Sequence, residues 1–212
     1  MPQAVAARRL RRVFTDIYRD NGWGEGETRS GPGSTRERTA AFRDDLDRLL
    51  GELGVRSLLD LGCGEFNWQP LLAHPLERYV GVEIVPDIVR ELARRHSAPG
   101  REFLSLNLIF DPLPACDLAL CRDCLVHLAN QHVLDALRNV RRSGTRFLLA
   151  TTFTGRSENP DVPSGGWRPL NLERPPFSLP PPALLLSERR TVEDGRYADK
   201  ALGLWSASDL PA

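Results

Sequence analysis

The chain has 212 residues, 41% of them hydrophobic and 26% charged, and its 28 basic and 28 acidic side chains leave a formal net charge of zero. A chain of this size buries the core of one α/β domain with extensions, and its neutral balance supplies no field for a polyanion, which argues against nucleic-acid and membrane-surface partners. Met1 to Leu10 turns Arg-rich without a signal-peptide core, no apolar run reaches spanning length, and Cys63, Cys116, Cys121 and Cys124 then read as reduced thiols, so a cytoplasmic setting is expected.

In chain order, Val5, Leu10, Val13, Phe14 and Ile17 recur at helical spacing between arginines, which predicts an amphipathic helix over Ala4 to Tyr18. Asn21 to Ser34 carries five glycines and a proline, so regular structure is excluded there. A loop of this length serves either as a linker or as a functional lid. Trp23 favours an ordered lid, because a large aromatic has no use in a solvated linker. Ser34 or Thr35 is placed to cap a helix running to about Leu53, with Glu37 in its first turn and Gly54 at its end.

From Val55 onward strands and helices alternate. Arg56 to Asp60 reads as a buried strand and Trp68 to Ala73 as a short helix interrupted by prolines. Tyr79 to Val85 is a second strand, and Pro86 to His96 a helix opened by proline. Glu102 to Leu106, Ala115 to Cys121 and Thr145 to Thr152 supply three more strands, the last preceded by a helix from about Gln131 to Arg142. Five such alternations predict an open, mostly parallel sheet with helices on both faces. Between Phe153 and Ser187 lie eight of the seventeen prolines, so a long loop crossing the top of the sheet is expected. Glu188 to Glu193 and Lys200 to Ser206, around Asp194-Gly195, predict a terminal β pair that completes the sheet. The chain thus divides into an N-terminal helical and lid region (1–54), a core (55–152), a proline-rich loop (153–187) and a terminal β pair (188–212).

Val55 to Trp68 is a strand, glycine turn and helix start, the arrangement that lets a nucleotide-like ligand lie on backbone atoms. Asp60 can accept from an ammonium or loop amides, and Glu83, ending the next strand, from both hydroxyls of a ribose. Asn67 occupies the third glycine position of G-x-G-x-x-G, so a nicotinamide cofactor loses support. Asp60-Leu-Gly-Cys-Gly64, Glu83, Asn107 and Pro112 to Leu118 together resemble the successive motifs of class I S-adenosylmethionine-dependent methyltransferases, over roughly residues 55 to 152. Trp23-Gly, Ser30 to Ser34, Cys121 to Leu128 and Trp167 to Leu172 more loosely resemble a bacterial subgroup of that family. The resemblance implies a Rossmann-like sheet of seven strands with the last inserted antiparallel, and S-adenosylmethionine as cofactor. It places Asp60, Gly62, Cys63 and Gly64 along the methionine part and Glu83 on the ribose. Ile84, Leu108 and Asn107 would meet the adenine, Asn107 standing where Asp is usual and accepting through its amide oxygen, with Cys121 and Arg122 beside the sulfonium. Phe66 stands at a frequent glycine position, which leaves the chain path there open.

Methyl transfer from a sulfonium needs in-line placement, and a base only where the acceptor must lose a proton. His127, ordinarily titrating near 6.5, is a candidate base and Asp123 its orienting partner. Packing or capping roles for both residues are the alternative. Cys121, Cys124 and His127 lack the further ligands of a zinc site, so no metal is expected. Trp23, Trp167, Arg168 and Asn171 would cover a small polar acceptor with aromatic faces, a cation and an amide, while Arg29 or Arg36 would reach the cofactor carboxylate. Trp167 alternatively anchors its own loop. The expected activity is methylation of a small polar acceptor at oxygen or nitrogen. A silent cofactor-binding partner subunit is the second reading, and a nicotinamide oxidoreductase the third.

Overall fold

The apolar runs after Val55 assemble into a seven-stranded sheet in a computed structural model that describes residues 2–24, 26–188 and 197–212. Before it come α1 (Pro2–Arg19) and α2 (Ala40–Glu52); then follow β1 (Ser57–Leu61), β2 (Arg78–Glu83), α3 (Pro86–His96), β3 (Arg101–Ser105), β4 (Leu118–Cys121), α4 (Asn130–Arg142), β5 (Phe147–Phe153), β6 (Leu184–Ser187) and β7 (Lys200–Ser206). The sheet order is β3-β2-β1-β4-β5-β7-β6. The first five strands pair in parallel, and β7 runs antiparallel between β5 and β6. Strand order reverses between β1 and β4, and a sheet of this kind opens a crevice at the carboxyl ends of its strands at that point.

Residue alternation sends the two faces of each strand to separate cores. Leu58, Leu118, Leu120 and Leu149 pack under Phe42, Leu46 and Leu50 of α2 and Ile88 and Leu92 of α3. Leu59, Ala119, Leu148 and Ala150 pack under Val133, Leu137 and Val140 of α4, with Leu10 of α1 joining that side. Leu58, Leu59, Leu118 and Leu120 are completely inaccessible, so truncating any of them to alanine costs about 2–5 kcal/mol.

Helix ends follow local chemistry. Pro86 and Asp87 open α3, and Arg94 and Arg95 lie in its last turn, each charge matched to the nearer end of the helix dipole. Leu53 ends α2, and Gly54 turns away at φ 61°. The start of α2 departs from expectation. The Thr39 hydroxyl bonds back to the Thr35 carbonyl (2.8 Å) and the Arg36 amide bonds Glu27 (2.9 Å), so residues 35–39 stay a turn and the helix begins at Ala40. The helix expected over Trp68 to Ala73 shrinks to a 3-10 turn at Gln69–Leu71, with Pro70 inside it.

A strand is found at Leu184–Ser187, whereas the run expected over Glu188 to Glu193 lies, past Glu188, outside the described residues. Leu184–Ser187 pairs with β7, beginning two residues after Pro182, whereas Glu188 precedes, and the expected turn at Asp194-Gly195 falls within, residues 189–196, which lie outside the described residues. Ala183, the first residue past Pro182, already donates to the Leu204 carbonyl (2.8 Å), and Leu184–Ser187 continues the pairing with β7.

Candidate active site

β1 ends in Asp60 and Leu61, and the chain then reverses through Gly62 at φ 76° and Gly64 at φ 55°. Gly62 N–H and Cys63 N–H both donate to the Val82 carbonyl, at 2.9 and 3.1 Å, which hooks the turn onto β2. A Cβ on Gly62 would lie 2.9 Å from Cys124 Sγ, and one on Gly64 would lie 2.4 Å from Ser30 Oγ, so both positions need glycine for space as well as for φ. Phe66 also takes a left-handed φ of 55°. Its ring packs against Tyr79, His96 and Phe103, which offsets a strain of about 1–3 kcal/mol and keeps the glycine-like path.

The turn borders a cleft at the switch point. Asp60, Gly62, Cys63, Gly64, Glu83, Ile84, Asn107, Leu108, Arg122, Asp123 and His127 all contribute to its wall. Asp60 Oδ2 accepts from Gln69 Nε2 (2.9 Å) and from the Tyr79 hydroxyl (2.6 Å). Glu83 accepts from the backbone N–H groups of Ile84 (2.7 Å), Val85 (3.1 Å) and Gly64 (3.3 Å). Burial pushes both carboxyls above their ordinary values, and these donors pull the other way. Asn107 is more specific. Its Oδ1 accepts from Ile109 N–H at 3.0 Å, while its Nδ2 is buried without a partner. Asn107 Oδ1 keeps a second lone pair, so beside the acceptor expected there the side chain also offers a ligand an unpartnered donor.

Past β4, Asp123 sits at φ 53°; its N–H donates to Thr151 Oγ1 at 2.9 Å, and its Oδ2 accepts from Lys200 Nζ at 2.6 Å. Lys200 also pairs with Glu188 (2.7 Å), and Arg122 pairs with Glu188 (2.5 Å) and Asp123 (3.5 Å). Among the described residues two cations and two anions thus form one balanced cluster, and the pull of Lys200 and Arg122 outweighs burial to hold the Asp123 carboxyl far below its ordinary range. Arg122 additionally donates to the Gly33 carbonyl (2.9 Å) and lies over the rings of Phe42 and Trp68.

His127 takes no hydrogen bond from Asp123. Its Nδ1 lies 2.8 Å from the Gly166 carbonyl, which can only accept, so Nδ1 carries the proton and Nε2 presents a lone pair. Burial lowers its pKa below 6.5, and the Gly166 and Asp123 contacts only partly oppose that. The positioning partner expected in Asp123 is therefore the Gly166 carbonyl, because Asp123 is consumed by the ion cluster.

The glycine-rich segment is an ordered cover. Glu65, inside the turn, accepts from Tyr18 Oη (3.1 Å), Thr28 Oγ1 (2.8 Å) and Arg29 N–H (2.7 Å), and its own N–H donates to Ser30 Oγ (3.2 Å). Trp23 stacks on the His127 ring with centroids 4.1 Å apart, and Phe14 of α1 lies 5.9 Å behind it.

Four residues expected near the ligands serve elsewhere. Trp167 is 43% exposed and packs edge-on against Phe153 and Tyr197, outside the cleft wall. Arg168 is buried and donates to the Leu125 and Val126 carbonyls and to Asn130, while Asn171 ties its own loop to Arg156 and Glu173. Cys121 lies wholly inside the core behind the wall. Arg36 faces Glu27 at the surface, whereas Arg29 reaches the cleft. Residues missed from sequence include Leu10, Phe14 and Tyr18, whose four-residue spacing on α1 makes one stripe, and Lys200, whose signal was being the only lysine.

Cys63 and Cys124 are held protonated, the first by burial and the second by its bond to Cys121 together with burial. No group of three or more metal-ligating side chains comes together among the described residues. No described helix is long and apolar enough to cross a membrane.

Comparisons agree with this geometry. Residues 59–149 match the family described as methyltransferase domain. The structure of magnesium protoporphyrin IX methyltransferase from Synechocystis PCC 6803 with bound SAM is similar at 12% identity and a TM-score of 0.57, covering 94% of this chain and 96% of that one. The same enzyme with bound SAH aligns at 16% identity and a TM-score of 0.50 over 72% of this chain and 73% of that one. The methyltransferase domain of bacterial CtHen1 aligns at 16% identity and a TM-score of 0.48 over 54% of this chain, which spans 66% of that domain's length. No curated protein matches. At such identities the structural likeness speaks for the fold alone, a Rossmann-like methyltransferase fold, and the match to the methyltransferase domain family is confined to residues 59–149 of its core.

Proposed function

We propose that the chain transfers a methyl group from S-adenosylmethionine to an oxygen or nitrogen of a small molecule. The observation that carries this reading is the buried, partnerless Asn107 Nδ2 in the same cleft as Glu83 and the Gly62 to Gly64 turn. A donor at Asn107 suits a ring nitrogen of adenine, Ile84 and Leu108 offer apolar faces for that ring, and Glu83 retains acceptor capacity for ribose hydroxyls beyond its three backbone bonds. Both Asp60 contacts fall on Oδ2, leaving Oδ1 for an ammonium.

When bound, the cofactor supplies an electrophilic methyl carbon on a sulfonium. The chain's part is to orient and to exclude water: the Glu65 latch and the Trp23 stack close the cleft, and such positioning is worth effective molarities of about 10⁵–10⁸ M. His127 Nε2 receives a proton from an acceptor that must lose one, a contribution of about 10²–10⁴-fold.

Calorimetric titration tests this reading. S-adenosylmethionine is expected to bind the wild-type chain, and Glu83→Ala to weaken it by about tenfold or more, equivalent to about 1.4 kcal/mol. Absence of heat with ligand-free wild type would sink the proposal. Methyl label is then expected to pass from cofactor to acceptor, and to stop passing in Asp60→Ala.

A further inference from the structure

We propose that Tyr79 is a positioning residue for the cofactor's amino group: its hydroxyl, buried behind Asp60, holds that carboxylate charged and in one orientation, so that the cleft favours ligands carrying an ammonium. The inference rests on the cofactor reading above, because it concerns how one end of that ligand is chosen.

Register brings the two side chains together. Asp60 pairs with Gly81 across the parallel ladder of β1 and β2, so Tyr79, two residues earlier on β2, stands on the same face of the sheet. Gly81 adds no side chain to that face, and a Cβ there would lie 2.7 Å from the Phe103 ring and 3.0 Å from Cys63 Sγ. The Tyr79 ring is held by Phe66 and Phe103, with centroids 5.1 and 6.0 Å away, and its hydroxyl meets Asp60 Oδ2 at 2.6 Å. The left-handed Phe66 thereby braces the tyrosine that holds the carboxylate. Asp60 borders the cleft, whereas Tyr79 does not line it and is 6% exposed. The tyrosine therefore acts on a ligand only through Asp60.

Burial works against the charge on Asp60. The side chain is 3% exposed, and a carboxylate taken out of water reverts to the neutral acid unless donors or cations face it. Acting on it are Tyr79 and Glu83 from β2, Cys63 and Gln69 from the turn that follows β1, and Arg122 and Cys124 past β4. Glu83 repels the charge, and Cys63 and Cys124 stay neutral thiols. Arg122 attracts it, while its guanidinium is bonded to Glu188 and to the Gly33 carbonyl. Among the described residues its hydrogen-bond donors are Tyr79 and Gln69, and the Tyr79 bond is the shorter and the stronger pull. Burial and the Asp60 charge push the Tyr79 phenol well above its ordinary range, so it stays a donor. With both donors on Oδ2 the carboxylate cannot swing, and Oδ1 keeps its lone pairs for an N–H of the ligand.

The test compares two ligands by calorimetry on the full chain, S-adenosylhomocysteine and 5′-methylthioadenosine. Both carry adenosine and a thioether, and only the first carries the amino and carboxylate groups, so their affinity ratio cancels what Glu83 does at the ribose. The range is about pH 5 to 7, below the titration of an α-amino group. In wild type the preference for S-adenosylhomocysteine is expected to fall as pH drops, because protonating Asp60 removes the partner of the ammonium. Tyr79→Phe should move that fall upward by about one pH unit, and so cut the preference about tenfold on the acidic side, while 5′-methylthioadenosine affinity stays within about twofold. In an Asp60→Asn background Tyr79→Phe should leave the ratio unchanged. Equal weakening of both ligands by Tyr79→Phe, a ratio it does not move at any pH, or the same loss without the Asp60 carboxylate would overturn the inference and leave Tyr79 a packing residue. Wild type that binds neither ligand would instead bring down the cofactor reading, and the inference with it.

Discussion

His127 shows how a single side chain is set by its surroundings. With Nδ1 committed to Gly166 and burial disfavouring the cation, its neutral form persists below pH 6.5. The transfer rate to a hydroxyl acceptor is therefore expected to stay level from about pH 8 down to 6.5 and to fall only below it; His127→Ala should lower the rate by about 10²-fold and erase that limb. A pH-independent deficit in His127→Ala would remove His127 as base. The same depression has a stability sign. A base whose folded pKa lies below its unfolded one contributes stability above 6.5 that is lost as pH falls through the folded value, so urea midpoints should drop on acidification from there in wild type and less in His127→Ala. Gly64→Ala is expected to cost about 1–3 kcal/mol in urea denaturation, because alanine is strained at φ 55° and its methyl meets Ser30 Oγ. At this scale Asp60, Gly62, Gly64 and Glu83 were legible as a group, since their spacing after two apolar strands places them at adjacent strand ends. The bond from Ile109 N–H to Asn107 Oδ1 and the unpartnered Nδ2 beside it were not, because they depend on the turn that follows Asn107.

Elements cooperate here through one cluster of charge. Arg122 and Asp123 follow β4, Glu188 follows β6 and Lys200 opens β7, so three strand ends and the Gly33 carbonyl of the cover meet at a quartet balanced among the described residues. Removing one partner strands buried charge, and Lys200→Met is expected to lose about 3–5 kcal/mol in denaturant unfolding. A loss within about 0.5 kcal/mol would mean that the cluster is hydrated and weak. Sequence patterns gave the five parallel strands within a few residues, because alternation and glycine or proline punctuation are local. The quartet could not be read the same way: its members lie up to 78 positions apart, from Arg122 to Lys200, and only sheet order joins them. The start of α2 was misplaced for a related reason, as the Thr39 back-bond and the Glu27 contact to Arg36 compete with helix formation.

For the molecule as a whole, the mostly parallel sheet follows from strand and helix alternation, the antiparallel last strand was implied only by the family resemblance, and the sheet order comes from the structure. What alternation did not reveal was the cover, since Glu65 gathers Tyr18, Thr28 and Arg29 across 36 or more positions. A ligand that binds only the folded chain raises its stability, so S-adenosylmethionine at 100 times its dissociation constant should add about 2.7 kcal/mol to unfolding, read as a raised melting temperature. An unchanged melting temperature at that excess would contradict binding in the cleft. The placing of β7 has a consequence for biosynthesis. During synthesis β1 to β5 emerge first and can pair among themselves, but β6 has no described strand partner except β7. Asp123 likewise waits for Lys200, which opens β7. On the ribosome the turn at Gly62 thus forms early, and the wall around Asp123 becomes rigid only after the last strand has emerged and slid between its two neighbours.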